Sequence, residues 1–199
     1  MTSLFGQSLD DFIKNVGATD PTPGGGSVAA ITGALGCGLV LMAARISARK
    51  QANPALSEAI ESLEKISGDL KTLAQEDTEV FGVYMDVLGL PKDTAQDKKQ
   101  RQSALAAARE QATESPLKAA RTMLAGLHVS LGVCQHAQSH VVSDALAGTH
   151  LLYASITATL YNVDINTVGQ DQVADPYRRA RQEIAAQAGD LIADVPAKL

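Results

Sequence analysis

The chain has 199 residues, 45% hydrophobic and 20% charged, ordinary proportions for one globular domain (1–199) with a core of its own. A net charge of −5 with no basic run argues against nonspecific nucleic-acid binding but leaves a small anionic ligand open. Cys37 and Cys134 sit in apolar stretches and read as buried thiols, and the start MTSLFGQSLDDF lacks the basic and apolar parts of a signal peptide, so a cytoplasmic location is expected.

In chain order, Ser8 is placed to cap a short helix, SLDDFIKNV, with Asp11 three residues on. Leu9, Phe12, Ile13 and Val16 share one face of it. The loop ATDPTPGGG follows, with two prolines to fix the backbone and three glycines to free it. Ser27 then stands where an N-cap belongs, ahead of a helix with no charge until Arg45. Ala29, Gly33 and Cys37, and likewise Thr32, Gly36 and Val40, put small residues on two faces, which suits close backbone packing. Such a helix is a core helix or a membrane span; its Ala and Gly content and its place in an otherwise ordinary chain favour the core.

Asn53-Pro54, Ser115-Pro116 and Asp175-Pro176 each pair a capping residue with a proline suited to the first helical position, so a helix is predicted to begin at all three. The first runs to about Leu88 with an apolar stripe that Asp77 interrupts, and Gly89 ends it. Thr94 caps a helix with a polar first half that ends near Ser115, and the Pro116 helix runs to about Ala137. SDALAGTHLLYASITATLYNVDIN forms another, and the last runs from Pro176 to about Val195. With no strand alternation and no repeat, the prediction is an all-α antiparallel bundle of six or seven helices without a sheet.

A helix start behind a glycine loop exposes unpaired N–H groups and a partial positive charge, and a bare backbone lets a ligand come close. PGGGS has no following lysine, so it is not a phosphate loop. No metal site is expected: the four histidines are not in a zinc-protease pattern, and two cysteines cannot build a zinc ribbon. Asp144, within VVSDALAG, reads either as a functional carboxylate or, with Ser143, as a helix cap. Asp77 reads either as functional or as a buried carboxylate paired with a base. Asn162 and Asn166 end a helix four residues apart, and Arg49 and Lys50 close the glycine-loop helix, where a plain solvated helix end is the simpler account.

In combination, the PTPGGGS loop with its small-residue helix, EDTEVFGVYMDVLGLPKDT, SDALAG and LYNVDIN resemble the cyclodeaminase/cyclohydrolase family, across nearly the whole chain. That family includes the C-terminal domain of formiminotransferase-cyclodeaminase and methenyltetrahydrofolate cyclohydrolases. The resemblance implies an all-helical homodimer that needs no metal or bound cofactor and takes a tetrahydrofolate derivative as substrate. A separate formiminotransferase is a candidate partner; charge and the composition of the glycine-loop helix give the expectation of no nucleic-acid and no membrane partner. Cyclodeaminase is the favoured activity and cyclohydrolase the alternative. A non-catalytic folate- or partner-binding dimer is the further alternative, motivated by Ala52 where the family has an aromatic residue and by QSH ahead of Ser143. The expected catalytic residues are Asp144, Asp77 and Lys50, with Lys50 a proton donor or an anchor for the anionic tail. Gly24, Gly25, Gly26, Ser27, Ser143, Asn162 and Asn166 are the expected substrate contacts.

Overall fold

The computed structural model describes residues 3–168 and 175–195. A short 3-10 turn, Leu4–Gly6, is followed by six α-helices: α1 (Leu9–Val16), α2 (Gly25–Lys50), α3 (Pro54–Leu88), α4 (Ala95–His136), α5 (Val142–Asn166) and α6 (Asp175–Ala193). Among the described residues there is no strand. Helices α2, α3, α4 and α5 form an antiparallel four-membered ring, each packed on the next, and α6 lies against α4 and α5.

The capping signals at three helix starts act as their chemistry dictates. Ser8 Oγ accepts from the Asp11 N–H, and Asn53 Oδ1 accepts from the Ala55 N–H with Pro54 in the first turn. Thr94 and Asp97 form a reciprocal capping box that holds the Asp97 carboxyl below the usual carboxylate range.

Three expectations are corrected. The helix predicted to start at Pro116 does not: α4 runs unbroken through it, and Pro116 is buried inside the helix. Proline lacks the N–H that would bond to the carbonyl four residues back. Asn166 Nδ2 takes its place, donating to the Ala112 carbonyl at 2.7 Å from the end of α5. Ser27 is not the N-cap of α2, because the helix begins earlier with Gly24 in that position and in extended backbone. Neither Ser143 nor Asp144 caps α5, which starts at Val142 with no side-chain cap, so both lie in its first turn.

The small residues of α2 set its distance from α5. A Cβ built on Gly36 would lie 2.8 Å from the Gly148 carbonyl oxygen, and one on Gly148 would lie 2.5 Å from that of Gly36. The two backbones are in direct contact there, so this close interface is within the chain. By length and hydropathy alone α2 could cross a membrane, but half of its apolar stretch is buried among the other helices. Cys37 and Cys134 are free and buried, and burial pushes the Cys37 thiol up to about 12.

The apolar face predicted for α1 is split. Phe12 packs on the core, while Leu9 and Ile13 are 73% and 62% exposed. On α2, Leu35 is 61% exposed on the face that looks away from the bundle.

Candidate functional site: a cavity at the glycine-loop end of the bundle

Ser27 bonds to Asp77, which sets the start of α2 level with that residue of α3. The rest of α3 therefore extends about 16 Å past the start of α2, at 1.5 Å per residue. The first half of α4 runs back beside it. This overhanging helix pair and the end of α5 enclose a cavity of about 470 Å³ at the glycine loop. Its lining includes Pro21, Gly24, Gly25, Gly26, Asp77, Phe81, Tyr84, Arg109, Pro116, Asn162 and Asn166. That volume is in the range of ordinary small-molecule sites.

Asp77 is the carboxylate of this cavity. Its Oδ2 accepts from the Ser27 hydroxyl at 2.7 Å, and Ser27 Oγ lies 3.1 Å from Thr78 Oγ1. Its Oδ1 makes no hydrogen bond among the described residues, which leaves that oxygen for a ligand. The carboxylate lies against the first turn of α2, where the helix dipole is positive. A Cβ on Gly26 would stand 2.7 Å from Asp77 Cγ. The glycine is thus needed for close approach of the carboxylate, a firmer requirement than loop flexibility. Gly25 faces Asn162: a Cβ there would be 3.9 Å from the amide Oδ1 and Nδ2.

The expected site residues divide into two groups. Gly24, Gly25, Gly26, Asp77, Asn162 and Asn166 line the cavity, with Ser27 behind Asp77. Asn166 also satisfies the carbonyl that Pro116 leaves free, so its amide has a structural duty besides any ligand contact. Lys50, Ser143 and Asp144 are not in the cavity. Asp144 and Asn162 lie on one straight helix about 27 Å apart, and Lys50 is about 38 Å along α2 from Gly25, by helical rise. Asp77 and Asp144 of one chain therefore cannot act as a pair on one small molecule, and Lys50 cannot anchor a ligand in its own chain's cavity.

Sequence reasoning missed Arg109, Phe81 and Tyr84. Phe81 and Tyr84 continue the apolar stripe of α3 past Asp77 and look like core residues by spacing. The buried positions of α3 end at Thr78, however, so from Asp77 onward the stripe faces the cavity. The carboxylate inside the stripe was the available signal for that change. Arg109 lies in the polar half of α4 and had no distinguishing neighbour. Among the described residues no group of histidine, cysteine and carboxylate side chains could hold a metal ion.

The sequence model of the formiminotransferase-cyclodeaminase family matches residues 8–187. A methenyltetrahydrofolate cyclohydrolase of Methylorubrum extorquens is 29% identical over 191 residues, covering 93% of this chain and 92% of the relative. A formimidoyltransferase-cyclodeaminase of Rattus norvegicus is 29% identical over 92% of this chain, which spans 35% of that longer protein. The crystal structure of a formiminotetrahydrofolate cyclodeaminase from Thermotoga maritima superposes with a TM-score of 0.76 at 26% identity, covering 94% of this chain and 90% of that one. The chain belongs to the formiminotransferase-cyclodeaminase family.

Proposed function

We propose that this protein is a folate one-carbon enzyme that closes the formimino group of formiminotetrahydrofolate into the 5,10-methenyl bridge and releases ammonia. The observation that carries this reading is the cavity itself. One carboxylate with a free oxygen lies on a helix start, beside a bare glycine backbone, an amide and two aromatic rings. The rings of Phe81 and Tyr84 suit a flat pterin, and Asn162 suits its hydrogen-bonding edge.

In the reaction, N10 attacks the formimino carbon and its proton passes to the departing nitrogen. Loss of neutral ammonia consumes one further proton and leaves the positive charge on the N5–C–N10 bridge. Asp77 is placed to carry the first proton and to face the developing cation. Ser27 donates to Oδ2 and so orients the carboxylate with Oδ1 free.

Hydrolysis of the methenyl bridge is the second reading, favoured by the near full-length likeness to the Methylorubrum extorquens cyclohydrolase. It uses the same carbon: water adds, loses a proton, and the N5–C bond breaks. An absorbance assay separates the two, because the methenyl form absorbs in the near ultraviolet. Appearance of that band from formiminotetrahydrofolate is expected. Accelerated loss of the band from methenyltetrahydrofolate alone would make the protein a cyclohydrolase, and no change with either substrate would overturn both readings. A formiminotransferase that supplies the substrate, and a cytoplasmic location, belong to the same proposal.

Lys50, Ser143 and Asp144 enter this scheme through a second copy. The outward face of α2 carries Leu35 and Met42 and, like the exposed Leu9 and Ile13 of α1, is an uncovered apolar surface suited to a homodimer. An antiparallel pairing of α2 with its copy carries the Lys50 end of each subunit toward the cavity of its partner. Asp77→Asn and Asp144→Asn homodimers are both expected to be inactive. Subunits mixed after unfolding and refolding should regain about one quarter of wild-type activity, because half the dimers are mixed and each holds one intact site. Absence of recovery would place Asp144 outside the site.

A further inference from the structure

Behind the Asp77 carboxylate stand two hydroxyls. Ser27 on α2 is fully buried and Thr78 on α3 is 9% exposed, and neither lines the cavity. Ser27 Oγ donates to Asp77 Oδ2 at 2.7 Å and lies 3.1 Å from Thr78 Oγ1. The direction of the second bond follows from the first, because a hydroxyl has one proton to donate. Ser27 gives its own to the carboxylate, so Thr78 is the donor between the two hydroxyls. The order is Thr78 to Ser27 to Asp77, a chain whose bonds polarise one another and which ends on a carboxylate.

Buried hydroxyls elsewhere in the molecule behave differently. Thr113, Thr149 and Ser155 are buried on helices, and each donates to the carbonyl four residues back in its own helix. Ser27 and Thr78 make no such bond among the described residues; each is turned toward the neighbouring helix instead. A residue that only filled space at position 78 would need no hydroxyl. A hydroxyl that needed only a partner would have the Ala74 carbonyl within its own helix.

We propose that Thr78 is a positioning residue of this site: its hydroxyl holds the Ser27 proton on Asp77 Oδ2 and so keeps Oδ1 turned to the substrate. The inference rests on the folate reading of the cavity. Gly26 lets the carboxylate reach the start of α2, and the hydroxyl chain then decides which of its oxygens faces the ligand. Thr78 touches no substrate and acts only through Ser27.

The test is steady-state turnover by wild type, by Thr78→Val, which keeps the shape and removes the hydroxyl, and by Thr78→Ser, which keeps the hydroxyl and removes a methyl. Thr149→Val is the control: it removes a back-bonded hydroxyl about 20 Å along α5 from Asn162, by helical rise. Thr78→Val is expected to lower kcat about five- to tenfold, the contribution of one neutral hydrogen bond, with KM within about twofold. Thr78→Ser and the control should both keep wild-type kcat. Adding Thr78→Val to Ser27→Ala should lower kcat no further, because the two hydroxyls act as one unit. Should Thr78→Val fail to fold by circular dichroism, Thr78→Ala takes its place, since it differs from Thr78→Ser by the hydroxyl alone. The positioning role is overturned by wild-type kcat in Thr78→Val, by a loss confined to KM, by an equal loss in Thr78→Ser or the control, or by additive losses in the double variant. In each of those cases wild-type turnover leaves the folate reading standing. Failure of the wild type to turn over either formimino- or methenyltetrahydrofolate overturns the folate reading and the positioning role with it.

Discussion

Asp77→Asn is expected to lower turnover by about 10²- to 10⁴-fold, the usual contribution of a positioned acid–base group. The far-ultraviolet circular dichroism should be unchanged. The change is nearly isosteric, and Asn keeps an oxygen that can accept from Ser27, so the loss would report chemistry and not folding. Binding of unsubstituted tetrahydrofolate should weaken far less, because it carries no cationic bridge for the carboxylate to face. Turnover within a factor of a few of wild type would remove Asp77 from the mechanism. Gly26→Ala approaches the same group from the other side, since its methyl would displace the carboxylate from the helix start.

Gly148→Ala is expected to cost about 3 kcal/mol, the upper part of the range for overpacking. Most added methyl groups meet side chains that can yield. This one meets the Gly36 carbonyl at 2.5 Å and Val40 Cγ2 at 2.8 Å. Backbone cannot rotate aside, so α2 and α5 must separate along the seam that carries both the glycine loop and Asn162. For a chain of this size the melting temperature should fall by roughly 6–12 °C. Gly68→Ala is the internal comparison. It is an exposed helical glycine with open space at its Cβ, and alanine there should stabilise by about 0.5–1 kcal/mol. A thermal melt in which the two variants behave alike would contradict the backbone-contact account of the seam.

Much of the fold was legible because local chemistry agreed with global structure. Ser8, Asn53 and Thr94 cap helices where their side chains suggest, and the uncharged run after the glycine loop is the helix packed among α3, α4 and α5. Pro116 was misread because its missing N–H is compensated by Asn166, fifty positions further on, and no local rule sees that partner. Ser27 was misread as a cap because its hydroxyl serves a carboxylate on another helix.

Of the candidate cavity, the glycines, Asp77 and Asn162 were named in advance through family resemblance, which does not say which motifs share an end of a helix. Counting residues along α5 shows that Asp144 and Asn162 are far apart, but only once both are known to lie on one unbroken helix. Arg109 was hidden for a different reason: a charged residue on a polar helix looks the same whether it meets water or a cavity.

The most direct test of the location of the site is a crystal structure of the protein with tetrahydrofolate bound. The pterin is expected against Phe81 and Tyr84, with the N5–N10 edge within hydrogen-bond reach of Asp77. A pterin bound near Asp144 and Lys50 of its own chain, with the Asp77 cavity empty, would contradict this account.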